Sequence, residues 1–180
     1  MIIKKYKYLK MEVLIFKTSF LYKNKLKVNN IIGDKMNENN ELLMYIYQNA
    51  DMGVKSTTKL IKLLNNSDNK IKKVVEGELK GYENFLKKSK ALLKKNKVQP
   101  KGNSIIADIS SSITLDMEFM KDNSDSKLAD ILIRGFTMGN IDIDKKIEKY
   151  KEDADKEILK LAKELKRFGE INIELLQPYL

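Results

Sequence analysis

The chain of 180 residues contains no cysteine, no histidine and no tryptophan. Each absence removes chemistry. Without cysteine there is no disulfide framework, no thiolate nucleophile and no Cys/His zinc site. Without histidine there is no imidazole general base, no Ser-His-Asp or Cys-His pair, and no imidazole ligand for haem or iron. Proline occurs twice and glycine eight times, which argues against a loop-rich β protein or a collagen-like repeat. Long apolar runs are missing as well. Val13-Leu14-Ile15-Phe16 stops at Lys17, short of the roughly 7–15 residues of a secretory core and the about 20 of a membrane span. No glycine pattern of the phosphate-cradling kinds is present. What remains is a helix-rich, soluble chain, expected to be bacterial and cytoplasmic.

Charge is present in quantity but unevenly placed. The balance is +10, from 35 basic and 25 acidic residues. Residues 1–35 hold nine lysines against Glu12 and Asp34, a net of +7, and the remainder of the chain carries +3. The basic character therefore belongs to the first fifth, and a nucleic-acid argument from the whole-chain charge is misleading. Only Arg134 and Arg167 are arginine, the better fork for phosphate and guanine edges. Residues 1–35 are read as a basic segment separate from the domain at 36–180. The stretch Ile31-Ile32-Gly33-Asp34-Lys35-Met36 back-translates to a purine-rich run just before ATG, so Met36 is the expected start of translation. The alternatives are a disordered basic arm, a membrane-surface helix, or a single-strand nucleic-acid arm in which Tyr6, Tyr8 and Tyr22 interleave with lysines.

From residue 37 apolar residues recur at spacings of three and four, the mark of helices with one buried face. Helix A is expected from Glu41 to Leu64, capped by Asn39 or Asn40, with Leu43, Ile46, Ala50, Gly53, Thr57, Leu60 and Leu64 inward. Helix B is expected from Asn69 to Lys95, capped by Ser67 or Asp68, with Ile71, Val75, Glu78, Tyr82, Phe85, Ser89 and Leu92 inward. Each spans about 36–40 Å at ~1.5 Å per residue, and the short connection makes them an antiparallel pair. Residues 96–103 form the clearest loop. Helix C is expected from Ile105 to Lys121. A further helical region begins near Ser126, capped by Ser124 or Asp125, with Leu128, Ile131, Leu132, Gly135, Met138 and Gly139 inward. A bend is expected within Asn140–Asp155, a C-terminal stop at Gly169, and Pro178 ends the helical potential of the tail. The fold class is all-α, an antiparallel four- to five-helix bundle.

Few residues carry chemistry. Gly135 and Gly139 form a small-xxx-small pair, expected to let this helix approach a neighbour or to mark a kink. The lysines of 87–97 read as a solvated face. Glu78 and Tyr82 are polar positions inside an apolar stripe. With the hairpin layout and the terminal segment Ile173-Glu174-Leu175-Leu176-Gln177-Pro178-Tyr179-Leu180, they give the chain a resemblance to the ferritin-like, rubrerythrin-type helical bundles over residues 38–176. The resemblance implies a core di-iron site built on Glu and Glu-x-x-His. The chain has no histidine. Gly81 follows three residues after Glu78, and Lys145 three after Asp142. A carboxylate-only metal site from Asp51, Glu78, Asp116 and Asp142 is the alternative, since hard cations accept oxygen ligands. The simpler reading puts these four at the edge of the core, or hydrogen-bonded to Tyr82 or a lysine. The expectation is a non-enzymatic bundle without cofactor, catalytic residue or bound metal, acting by self-association or through a protein partner. Nucleic-acid and membrane partners are not expected.

Overall fold

Asn37 opens the first helix by accepting a hydrogen bond from the Asn40 amide at 3.0 Å, which satisfies one of the orphan donors of a helix start. The computed structural model of the chain describes residues 37–65, 67–100 and 124–180. They belong to one compact unit, 37–180. Four helices are found among them: α1 (Glu38–Leu64), α2 (Lys72–Lys95), α3 (Asp125–Tyr150) and α4 (Lys156–Leu176), followed by a 3-10 turn at Gln177–Tyr179. No strand occurs among the described residues. Residues 1–35, the proposed start at Met36 and the expected helix C lie outside the described residues.

The four helices pack together, α1 mainly with α2 and α3 mainly with α4, while α4 also touches α1 and α2, and α3 touches α1. A core cluster joins all four: Leu64, Ile71, Val75, Leu128, Ala129, Phe136 and Leu176 are buried together, with Tyr82 and Phe168 against them. No described helix is long and apolar enough to cross a membrane.

Several boundaries differ from expectation, each for a local reason. Helix α1 starts a turn early because Asn37 is the cap, which frees the other asparagines for longer reach. Asn39 accepts from the backbone amide of Asp155 at 2.5 Å, and Asn40 from the Asn96 side chain at 3.4 Å. Helix α2 starts at Lys72 rather than Asn69 and has no cap of its own. Ser67 instead donates to the Leu64 carbonyl at 3.0 Å. The cap comes from elsewhere: Asp125 accepts from the Lys70 amide at 3.0 Å, the Ile71 amide at 3.4 Å and the Asn69 side chain at 2.8 Å. A carboxylate at a helix N-terminus meets both free N–H groups and the positive end of the dipole. Helix α2 ends in a Schellman turn, with Val98 N–H to Leu93 O at 2.9 Å and Lys97 N–H to Lys94 O at 3.1 Å. Lys97 takes the left-handed conformation, φ 56°, where glycine is usual.

Ser124 caps α3 through the Lys127 amide at 3.3 Å, and the expected bend falls at residues 151–155. Two expectations in this half are corrected. Gly169 does not stop α4, which runs on to Leu176. Its missing Cβ leaves room for the Asn140 side chain of α3. The inward face of α3 is also turned: the buried residues are Leu128, Ala129, Phe136, Ile143, Ile147 and Tyr150. Ile131 and Met138 are exposed, and a Cβ at Gly135 or Gly139 would meet nothing within 4 Å. Among the described residues, the glycine pair thus lies against no neighbour. Apolar residues occur on two faces of this helix, and the face that carries the aromatic side chains Phe136 and Tyr150 is the buried one.

Candidate functional site

The helices interlock through close approaches that fix their register. The Tyr82 ring of α2 lies over Gly53 of α1, and the Phe168 ring of α4 lies over Gly81 of α2; neither glycine has room for a Cβ. The rings around this point form one cluster. Tyr82 and Phe168 meet edge to face at 5.0 Å between centroids, Phe136 and Phe168 at 5.9 Å, and Tyr82 stacks on Phe136 at 6.1 Å. Such geometries suit the quadrupoles of aromatic rings.

One helical turn from these contacts the core turns polar. A turn beyond Gly53 is Thr57, a turn before Tyr82 is Glu78, and a turn beyond Phe168 is Asn172. All three are buried. Residues a turn apart share a helix face, so Thr57, Glu78 and Asn172 lie on the faces that make these ring contacts. The Asn172 amide donates to the Phe168 carbonyl at 2.7 Å.

Glu78 is the unusual member. It is 1 % exposed, and neither carboxyl oxygen has a hydrogen-bond partner among the described residues. Buried acids are ordinarily paired. Burial pushes its pKa from the usual carboxylate range up to about 8, so the group is mostly a neutral acid at pH 7. The Tyr82 hydroxyl is pushed above its ordinary range, first by burial and then by any charge on Glu78.

The other candidate carboxylates do not join it. Asp51 pairs with Lys55 on its own helix at 2.7 Å. Asp142 sits 3.8 Å from Lys145 on a half-exposed surface. Asp116 lies outside the described residues. No group of three acidic side chains that could hold a metal ion occurs among the described residues. Pairing with lysine, expected as the simpler reading, describes Asp51 and Asp142. For Glu78 that reading is corrected: it lies inside the core rather than at its edge, and is bonded neither to Tyr82 nor to a lysine.

A second polar cluster escaped the sequence reading. Tyr150, 1 % exposed, donates a short hydrogen bond to Glu41, and Lys149 donates to the Tyr150 hydroxyl at 2.7 Å. Lys146 lies between the Tyr45 and Tyr150 rings, 5.6 and 5.7 Å from their centroids. Burial, then the nearby Lys149 charge, lowers its pKa. The only sequence signal was the three- and four-residue spacing of Ile143, Ile147 and Tyr150, which a face already assigned elsewhere concealed. The cluster ties α1 to α3 by charge-assisted bonds.

The outer surface of α3 carries the last feature. Ile131 is 42 % and Met138 37 % exposed, and they lie on one side of the helix with the open Gly135 and Gly139. No family model, no curated protein and no solved structure matches this chain.

Proposed function

We propose that this protein is a non-catalytic, ferritin-like helical bundle without a di-iron site, acting by self-association or by docking a protein partner. The observation that carries the reading is the side of α3 around Gly135, where Ile131 and Met138 remain exposed and where a Cβ at Gly135 or Gly139 meets nothing among the described residues. Exposed apolar surface of this kind marks interaction sites, and glycines with nothing above them among the described residues allow a second backbone to come close. The bundle is antiparallel within each pair. In support, Asn40 near the start of α1 reaches Asn96 just after the end of α2, and Asp144 late in α3 meets Lys166 of α4 at 2.7 Å. The ferritin-like reading draws on the long connection, residues 97–124. Lys95, at the end of α2, pairs with Glu157 near the start of α4, whereas Asp125, at the start of α3, caps the start of α2. The end of α2 and the start of α3 therefore lie at opposite ends of the bundle, which accords with the single crossover of ferritin-like folds.

Sedimentation equilibrium of the full chain, alone and with Met138→Lys, tests the reading. A self-associating wild type and a monomeric variant that keeps its helical circular dichroism are expected. If wild type is monomeric, the α3 surface is left to a protein partner, and affinity capture lost with Met138→Lys is the expected result. A monomer whose captured partners are the same with and without the substitution would overturn it.

A further inference from the structure

We propose that Glu78 is a proton-operated lock in the bundle core: its neutral carboxyl group lets α2 seat against α1 and α4, and loss of the proton opens the layer around it. The inference rests on the geometry of a buried acid without donors. Among the described residues, neither oxygen has a hydrogen-bond partner, and the residue is 1 % exposed. A neutral acid bears this position far better than a carboxylate, because burying an unpaired charge is much the costlier.

Among the described residues, no group compensates a negative charge on Glu78. On the faces that hold the ring contacts, the buried polar residue of α1 nearest Gly53 is Thr57 and that of α4 nearest Phe168 is Asn172, both uncharged, and the Asn172 amide is engaged with the Phe168 carbonyl at 2.7 Å. Helix α3 contributes Phe136 to the adjoining ring cluster. On α2 itself the titratable neighbour is Tyr82, a turn away, which burial and a Glu78 charge both hold protonated. Among the described residues, no lysine or arginine acts on the carboxyl group. The remaining route to solvation for an ionised Glu78 is water, admitted by separating the helices.

The surrounding packing makes this a lock rather than a local adjustment. One turn away, the Tyr82 ring fills the space over Gly53 and the Phe168 ring fills the space over Gly81. Displacing α2 at Glu78 withdraws both rings from their seats. Burial has pushed the ionisation to about 8, close enough to neutrality for modest alkalinisation to operate the device.

Amide hydrogen exchange of the full chain over residues 78–85, at pH 6 and pH 9, tests the proposal with Glu78→Gln as reference. The intrinsic exchange rate rises equally in both proteins and cancels. With ionisation near 8 folded and near 4.5 open, the opening constant of wild type should rise by about 100-fold more than that of the variant. Equal rises would overturn the proposal. If Glu78→Gln does not fold, Glu78→Met serves as the reference. Carbon NMR titration of the Glu78 carboxyl in wild type gives an independent reading: a midpoint near 8 supports the lock, and one near 4.5 overturns it.

Discussion

Two glycines four residues apart on α2 show how much a single methyl group decides. A Cβ at Gly77 would meet nothing within 4 Å, whereas one at Gly81 would collide with the Phe168 ring. That ring has little freedom to yield, since Tyr82, Phe85 and Phe136 surround it. Gly77→Ala should stabilise the protein by about 0.5–1 kcal/mol through helix propensity alone. Gly81→Ala should destabilise it by about 1–3 kcal/mol, the usual range for overpacking. Urea unfolding of the two variants against wild type separates these signs directly.

At the scale of the element, ends matter more than middles. Asp125 serves the start of α2 across 55 residues of chain, bonding two backbone amides. Asp125→Ala should cost about 1–2 kcal/mol, as for loss of a strong N-cap, and hydrogen exchange should show the loss concentrated in the first turn of α2. Lys97→Gly should act the other way and stabilise by about 1 kcal/mol, since it relieves the left-handed strain at φ 56°; the thermal midpoint reports it. The asymmetry explains what could be read from sequence. Periodicity placed the helices and the inward stripes of α1 and α2, including the buried Thr57 and Glu78, because those positions depend only on neighbours a turn away. Asp125 as the cap of α2 depended on a partner distant in sequence and was illegible. Gly169 was ambiguous in kind, since glycine suits both a helix stop and a close approach, and only the Asn140 side chain decides between them. The lack of a partner for Glu78 among the described residues was likewise hidden, because it depends on what the other described helices fail to offer.

For the whole molecule, the buried acid sets a pH dependence of stability. The group releases its proton near 4.5 when unfolded and near 8 when folded. Between these values the folded state binds more protons than the unfolded one, so stability falls as pH rises through this window. The contribution is full below about 4.5 and lost above about 8, an effect on the order of 5 kcal/mol. Denaturation midpoints of wild type should decline from pH 5 to pH 9. Those of Glu78→Gln should lack this component and exceed wild type at the alkaline end. A flat wild-type profile would show that water already reaches the carboxyl group.

The seats for Tyr82, Phe168 and Asn140 carry a consequence for descent. Helix α1 receives a side chain from α2, α2 from α4, and α4 from α3, each at a glycine. With the amide of Asn140 turned to satisfy both groups, it also bridges the Lys166 carbonyl and the Glu170 amide beside Gly169 at 3.2 Å each. Mutational change at these six positions is therefore conditional. A larger residue at 53, 81 or 169 becomes tolerable only after a smaller one has appeared at 82, 168 or 140, and the reverse order is barred. In any lineage sharing this bundle, the three pairs should drift as couples, with the bulky member shrinking first.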